Sequence, residues 1–155
     1  MSVQSGINFT IVENIDYTTN AARLGYFYVI VDDGSGSPPA SLITNIYNAI
    51  DPIRAASIAF EVHGPTIAMA AVTLKIVVVP AITHDTIAIV VQNAITNYVD
   101  SLAYGGSLAL TRLIQVAYDA SPSVVNVSNV LINGVAADIS AGPQTVIRIS
   151  TVIAS

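Results

Sequence analysis

The sequence predicts an α+β fold of two tandem β-α-β-β modules, with helices packed on one face of mostly antiparallel sheets. Three observations carry the prediction. Short β-branched and aromatic runs alternate with longer stretches whose apolar residues recur at helical spacing. The segment PASLITNIYNAI and the alternating run after it resemble HDTIAIVVQNAITNYVDSL and its own sequel, so one motif is used twice, the second copy longer. Asn133-Gly134 separates two apolar runs, and both central positions of a tight hairpin turn favour positive φ. The first module is expected over residues 24–71 and the second over 72–155, sharing a long central strand, behind an N-terminal arm over 1–23.

The arm is polar and weakly patterned, with one short strand expected at 9–12. Residues 24–31 read as a strand apolar on both faces: Leu24, Tyr26, Tyr28 and Ile30 on one, Phe27, Val29 and Val31 on the other. Such a strand lies centrally in a sheet or shows one face to a partner. A helix follows over 39–50. Pro39 suits its first turn, where the missing N–H has no partner to lose. Leu42, Ile43, Ile46, Tyr47 and Ile50 make its apolar stripe, and Asp51-Pro52 ends it. Residues 57–63 alternate, with Ile58, Phe60 and Val62 opposite Ala59 and Glu61. Gly64-Pro65 turns the chain into a run over 66–79 that is long for one strand. Its first half is expected to pair with the preceding strand. Its second half, with Val72, Leu74, Ile76 and Val78 inward and Thr73 and Lys75 outward, belongs to the second module.

Pro80 stops that run, and Thr83 or Asp85 caps a helix reaching about residue 103. Ile87, Val90, Val91, Ala94, Ile95, Tyr98, Val99 and Leu102 form its apolar face, and Gly105-Gly106 closes it. Leu108 and Leu110 are extended. Thr111 caps a short helix through Leu113, Ile114 and Ala117, ended by Pro122. A strand over 124–132 puts Val125, Val127 and Leu131 inward and Asn126 and Ser128 outward; a return strand follows at 135–139. The last strand, 145–153, has Ile147, Ile149 and Ile153 on the core side and Arg148 on the wet side.

The stretch DDGSGSPP, between the first long strand and the first helix, is where a phosphate or metal site would be built. A phosphate loop needs a lysine and backbone donors after its last glycine; here Ser37, Pro38 and Pro39 follow Gly36. The dinucleotide pattern needs a third glycine where Pro39 stands. Asp32, Asp33 and Ser35 offer hard oxygen ligands, but calcium takes about six to eight, and the calcium-loop spacing is missing. A structural corner accounts for every residue: Asp33-Gly34 turns, and Pro38-Pro39 launches the helix. His63 and His84 read as solvated residues at element ends, and Tyr26, Phe27 and Tyr28 as strand core. No G-x-S-x-G elbow occurs and no carboxylate pair has a telling spacing, so no catalytic, cofactor-binding or metal residue is assigned, and the chain is not read as an enzyme.

Composition points toward contact surfaces instead. Hydrophobic residues make up 53% of the chain and charged ones only 10%, with mean hydropathy +0.67. Soluble domains average about 25% charged residues. A membrane span needs roughly 20 apolar residues, and the longest candidate, AMAAVTLKIVVVPAI, is broken by Thr73, Lys75 and Pro80. The start, MSVQSGINF, lacks the basic and apolar regions of a signal peptide. Net charge is −5, and the five basic residues, Arg23, Arg54, Lys75, Arg112 and Arg148, are scattered, which argues against a nucleic-acid partner. The chain has no cysteine, which removes disulfides and thiolate chemistry. Depletion of charge in the covered core of interfaces makes a subunit of a larger assembly the expected class.

Four features, in order, resemble the C-terminal half of baseplate J-like proteins, wedge components of contractile phage tails. They are GYFYVIVDDGSGSPPASLITNIYNAI; then FEVHGPTIAMAAVTLKIVVV; then VVQNAITNYVDSLAYGGSLALTRLIQVAYD; then VVNVSNVLING with its terminal apolar strand. The resemblance covers residues 24–153 and leaves 1–23 unmatched, as in a fragment, a split-gene product or a shortened relative. It implies a structural subunit of a phage or phage-like tail baseplate in the virion, assembled in the bacterial cytoplasm, with other baseplate proteins and copies of itself as partners. It implies no cofactor, nucleic acid, membrane or small-molecule substrate, and no catalytic residue. The alternative is a small binding domain with a cation site at the Asp32-Asp33 loop.

Overall fold

The computed structural model describes residues 7–155, so the start of the expected arm, residues 1–6, lies outside the described residues. Among the described residues are three helices and eight strands, an α+β arrangement in which antiparallel pairing dominates. The chain divides into two compact units between Thr66 and Ile67; the sequence reading placed its boundary between 71 and 72.

In the first unit, β1 (Asn8–Ile15) and β2 (Ala22–Asp32) form an antiparallel hairpin. The strand expected at 9–12 is therefore eight residues long and pairs along most of β2, with a bulge at Asn14, whose φ is 59°. After α1 (Ala40–Ile50), β3 (Ala59–His63) lies parallel to β2, giving the order β1-β2-β3. This corrects the expectation that residues 57–63 pair with the strand after Gly64-Pro65. The helix returns the chain to the start of β2, whose second edge is open to a parallel partner. The central position of β2 explains why both its faces are apolar. Val29, Val31, Phe60 and Val62 form a small core beneath Leu42, Ile43, Ile46 and Ile50 of α1. No residue of α1 is fully buried.

In the second unit, β4 (Thr66–Val78) is the middle strand between β6 (Val124–Ile132) and β8 (Thr145–Ala154). Helix α2 (His84–Asp100) packs on β8, α3 (Leu110–Ala120) packs on β6, and the helices touch each other. Ile87, Val91, Ile95 and Val99, each four residues apart, are buried and lie over Val72, Leu74 and Ile76 in one core. Burying each such side chain contributes about 1.5–3 kcal/mol. Val90 falls off this stripe and is exposed. Asn133 (φ 52°) and Gly134 (φ 78°) make the expected two-residue turn, with Ile132 and Val135 exchanging both backbone hydrogen bonds. The return strand is reduced to that bridge and to β7 (Ile139–Ser140), which pairs with β5 (Ser107–Leu108).

Strand β6 departs from simple alternation. Its register against β4 slips between Thr73 and Lys75 and again between Val77 and Val78. Asn129 sits at φ 49° within the first slip. Each extra residue inverts the faces that follow, so Val124, Val127, Val130 and Ile132 are buried, while Val125, expected inward, is exposed. In β8, Val146, Ile147 and Ala154 are buried and Ile153, also expected inward, is exposed. Thr111 does not cap α3: the cap position is Ala109, and the Leu110 N–H donates to the Asp138 carboxylate at 2.9 Å.

Candidate functional site

The loop between β2 and α1 is held by its own side chains. Asp32 is the last residue of β2 and is 1% exposed. Its Oδ1 accepts from the Gly36 N–H at 2.8 Å, which satisfies a buried carboxylate with a backbone donor. Gly36 takes φ 77°, a left-handed conformation that glycine adopts without strain. Asp33 Oδ1 accepts from the Ser35 hydroxyl and from the Ser35 N–H at 3.1 Å. The Ser35 hydroxyl, then its N–H, hold the Asp33 carboxyl below the usual carboxylate range. Pro38 packs on the β3–β4 turn: a Cβ at Gly64 would stand 3.0 Å from Pro38 Cγ. One oxygen of each carboxylate thus accepts from loop donors. Among the described residues no group of three or more His, Asp or Glu side chains could hold a metal ion.

A second polar cluster lies on the sheet face of the first unit away from α1. Glu61 and His63 are two apart on β3 and share a face, with Glu61 Oε2 and His63 Nε2 2.7 Å apart. The Tyr17 ring stacks on His63 at 3.7 Å between centroids and meets Tyr28 edge-on at 5.3 Å. Burial, then the charge of Glu61, push the buried Tyr26 hydroxyl up to about 12. The Arg23 guanidinium covers the Tyr26 ring at 4.1 Å and pairs with Asp16 at 2.9 Å. Asp16 in turn accepts from the Thr19 N–H at 2.9 Å and the Thr18 N–H at 3.1 Å. These bonds, that from the Thr19 N–H foremost, hold its carboxyl below the usual range. Chemically this is a fastening: an Asp-centred turn locks the β1–β2 connection over β2 and β3. His63 is thus stacked and hydrogen-bonded, where the sequence reading left it solvated. The period-two spacing of Glu61 and His63 was the available signal. His84, half-buried, lies 3.6 Å from the exposed Asp85.

The remaining candidate feature is apolar surface. In the first unit Leu24 is 88% exposed, Ile53 73% and Phe9 62%; in the second, Met69, Ile89, Val125, Val135 and Ile153 are exposed. A groove of about 570 Å³ in the first unit runs between β1 and the end of α1, lined by Ile11, Phe27, Ile50, Ile53 and Ile58 with Glu13 and Arg54 among them. No helix among the described residues is long and apolar enough to cross a membrane.

The chain matches no protein-family model and no curated protein sequence. In fold it is similar to a chain in the cryo-EM structure of the anti-feeding prophage (AFP) baseplate, six-fold symmetrised, with a TM-score of 0.52 and 16% identity. The match covers 80% of this chain and 29% of that one, so the present chain spans under a third of the length of its structural neighbour. At this identity the likeness is one of fold.

Proposed function

We propose that the chain is a structural subunit of the baseplate of a contractile phage or phage-like tail, a wedge component of baseplate J-like type. The likeness of its fold to part of a prophage baseplate chain carries this reading. The apolar residues left on a charge-poor surface support it, since a subunit covered on many sides has little use for ionised side chains there. Its partners are other baseplate proteins and copies of itself, and its location is the tail baseplate of the virion, assembled in the bacterial cytoplasm. The role is mechanical. Packed contacts hold one arrangement of the baseplate and release it on contraction, with no reaction, nucleic acid, membrane or small-molecule substrate involved.

Calorimetry with and without calcium or magnesium, beside light scattering over a concentration series, tests this reading. The expected result is an average mass that rises with concentration and a melting temperature that millimolar metal leaves unchanged. A strict monomer that either metal stabilises by several degrees would replace the structural reading with a cation-binding domain at Asp32 and Asp33.

A further inference from the structure

We propose that the open half of the first unit's sheet is a docking groove for one amphipathic helix of a different polypeptide, apolar on one stripe and flanked by lysine or arginine. The two units cover equal sheets unequally. In the second, three strands carry two touching helices, α2 over the β8 edge and α3 over the β6 edge. In the first, three strands carry one helix, which packs toward β3. A helix is about 10–12 Å across with its side chains, and strands lie about 4.8 Å apart, so one helix covers roughly two strands. Among the described residues no helix covers the third, β1. Phe9, Ile11 and Glu13 are paired with Val31, Val29 and Phe27 and so share the face on which α1 sits. All three are exposed. The groove of about 570 Å³ lies at the Ile11–Asn14 end of this gap, with Ile50 and Ile53 on its other wall.

The same vacancy explains why α1 buries no residue fully while α2 buries five. A second helix laid beside α1 would cover Phe9, Ile11 and Ile53 together and repeat the two-helix layer of the second unit.

Charge and topology choose the occupant. Of the two charged groups lining the groove, Arg54 already pairs with Asp51 at 3.0 Å and donates to the Ile58 carbonyl at 2.6 Å. Glu13 is the carboxylate exposed at the rim, and the chain carries a net −5, so a helix with basic flanks fits best. A second copy of this chain is a poor source. The described helices already turn their apolar stripes onto their own sheets: α1 with Leu42, Ile43 and Ile46, and α2 with Ile87, Val91 and Ile95.

The probe is a fluorescently labelled leucine/alanine helix of about five turns, lysine-flanked in one version and glutamate-flanked in the other, titrated with the full chain while anisotropy is read. The lysine version is expected to bind saturably and the glutamate version at least about tenfold more weakly. Ile11→Ser with Ile53→Ser, both at exposed positions, is expected to weaken the lysine version by about tenfold or more with the melting temperature unchanged. Glu13→Lys is expected to reverse the preference. Absence of saturable binding, or binding indifferent to these substitutions, overturns the proposal. So does self-association of the unmodified chain that the Ile11/Ile53 pair abolishes, because the occupant is then a second copy. The groove lies within the first unit alone, so the titration reads it whatever assembly the chain joins.

Discussion

The Asp138 carboxylate accepts a 2.9 Å hydrogen bond from the backbone N–H of Leu110, 28 residues earlier in the chain. Helix α3 begins after Ala109, a residue with no side-chain oxygen to offer the helix start, and the loop beyond the Asn133-Gly134 turn supplies one. Asp138→Ala is expected to destabilise the second unit by about 1 kcal/mol, read from urea unfolding. Asp138→Asn keeps the acceptor and should recover most of the loss. No loss on Asp138→Ala would show that the bond contributes nothing.

Gly64 is fixed by a close neighbour. An added Cβ would stand 3.0 Å from Pro38 Cγ and 3.2 Å from Pro38 Cδ, so the turn after β3 and the end of the β2–α1 corner would have to part. Gly64→Ala is expected to cost about 1–3 kcal/mol. Pro38→Ala in the same chain should relieve much of it, giving a clear coupling in a double-mutant cycle. Strictly additive effects would contradict the contact.

Asn133 does two things at once. It takes φ 52°, and its side chain accepts from the Ala71 N–H at 2.8 Å and donates to the Met69 carbonyl at 3.3 Å. The turn is thereby tied to the first half of β4. Asn133→Ala loses both the conformational tolerance and the ties, with an expected cost of about 1–3 kcal/mol. Gly134→Ala meets no atom within 4 Å and strains only the φ of 78°, so its cost should stay near about 1 kcal/mol. Thermal melts of the two variants give the order.

The pH dependence has one edge on each side. Asp16 and Asp33 have carboxyls held below the ordinary value of 3.8, so their contribution is present above that value and is lost as pH falls through the lowered ones. Replacing both by Asn should flatten the acid side of a melting-temperature profile. Tyr26 works at the other end. Its phenol ionises at about 12 in the folded chain against 10.0 ordinarily, so stability is complete below pH 10 and declines as pH rises from there toward 12. Tyr26→Phe should remove that decline, and an unchanged alkaline edge would contradict the burial of the hydroxyl beside Glu61.

Much of the fold was legible because it is written locally. The four-residue spacing from Ile87 to Val99, the two apolar faces of β2 and the Asn133-Gly134 turn each show their structure within one window of sequence. What escaped is non-local or depends on a single extra residue. Nothing around Ala59–His63 says that its partner is β2 rather than β4, because strand pairing is settled by the path of the whole chain. Val125 lies outward against simple alternation because the bulges in β6 leave no mark in composition; Asn129, a residue that tolerates positive φ, is the one hint. The DDGSGSPP corner was legible as a corner, since its acids are neighbours of the very loop donors that occupy them. The Glu61–His63 pair also leaves a mark in sequence, two polar residues at period-two spacing that share one face of a strand.

Locating the chain in assembled particles decides whether it is a baseplate subunit. Contractile particles purified from cells that express the chain should be labelled with gold-conjugated antibody against it and viewed by electron microscopy. Gold is expected at the baseplate end of the tail, on both extended and contracted particles. Particles free of label, with the chain left entirely in the unsedimented fraction, would contradict it.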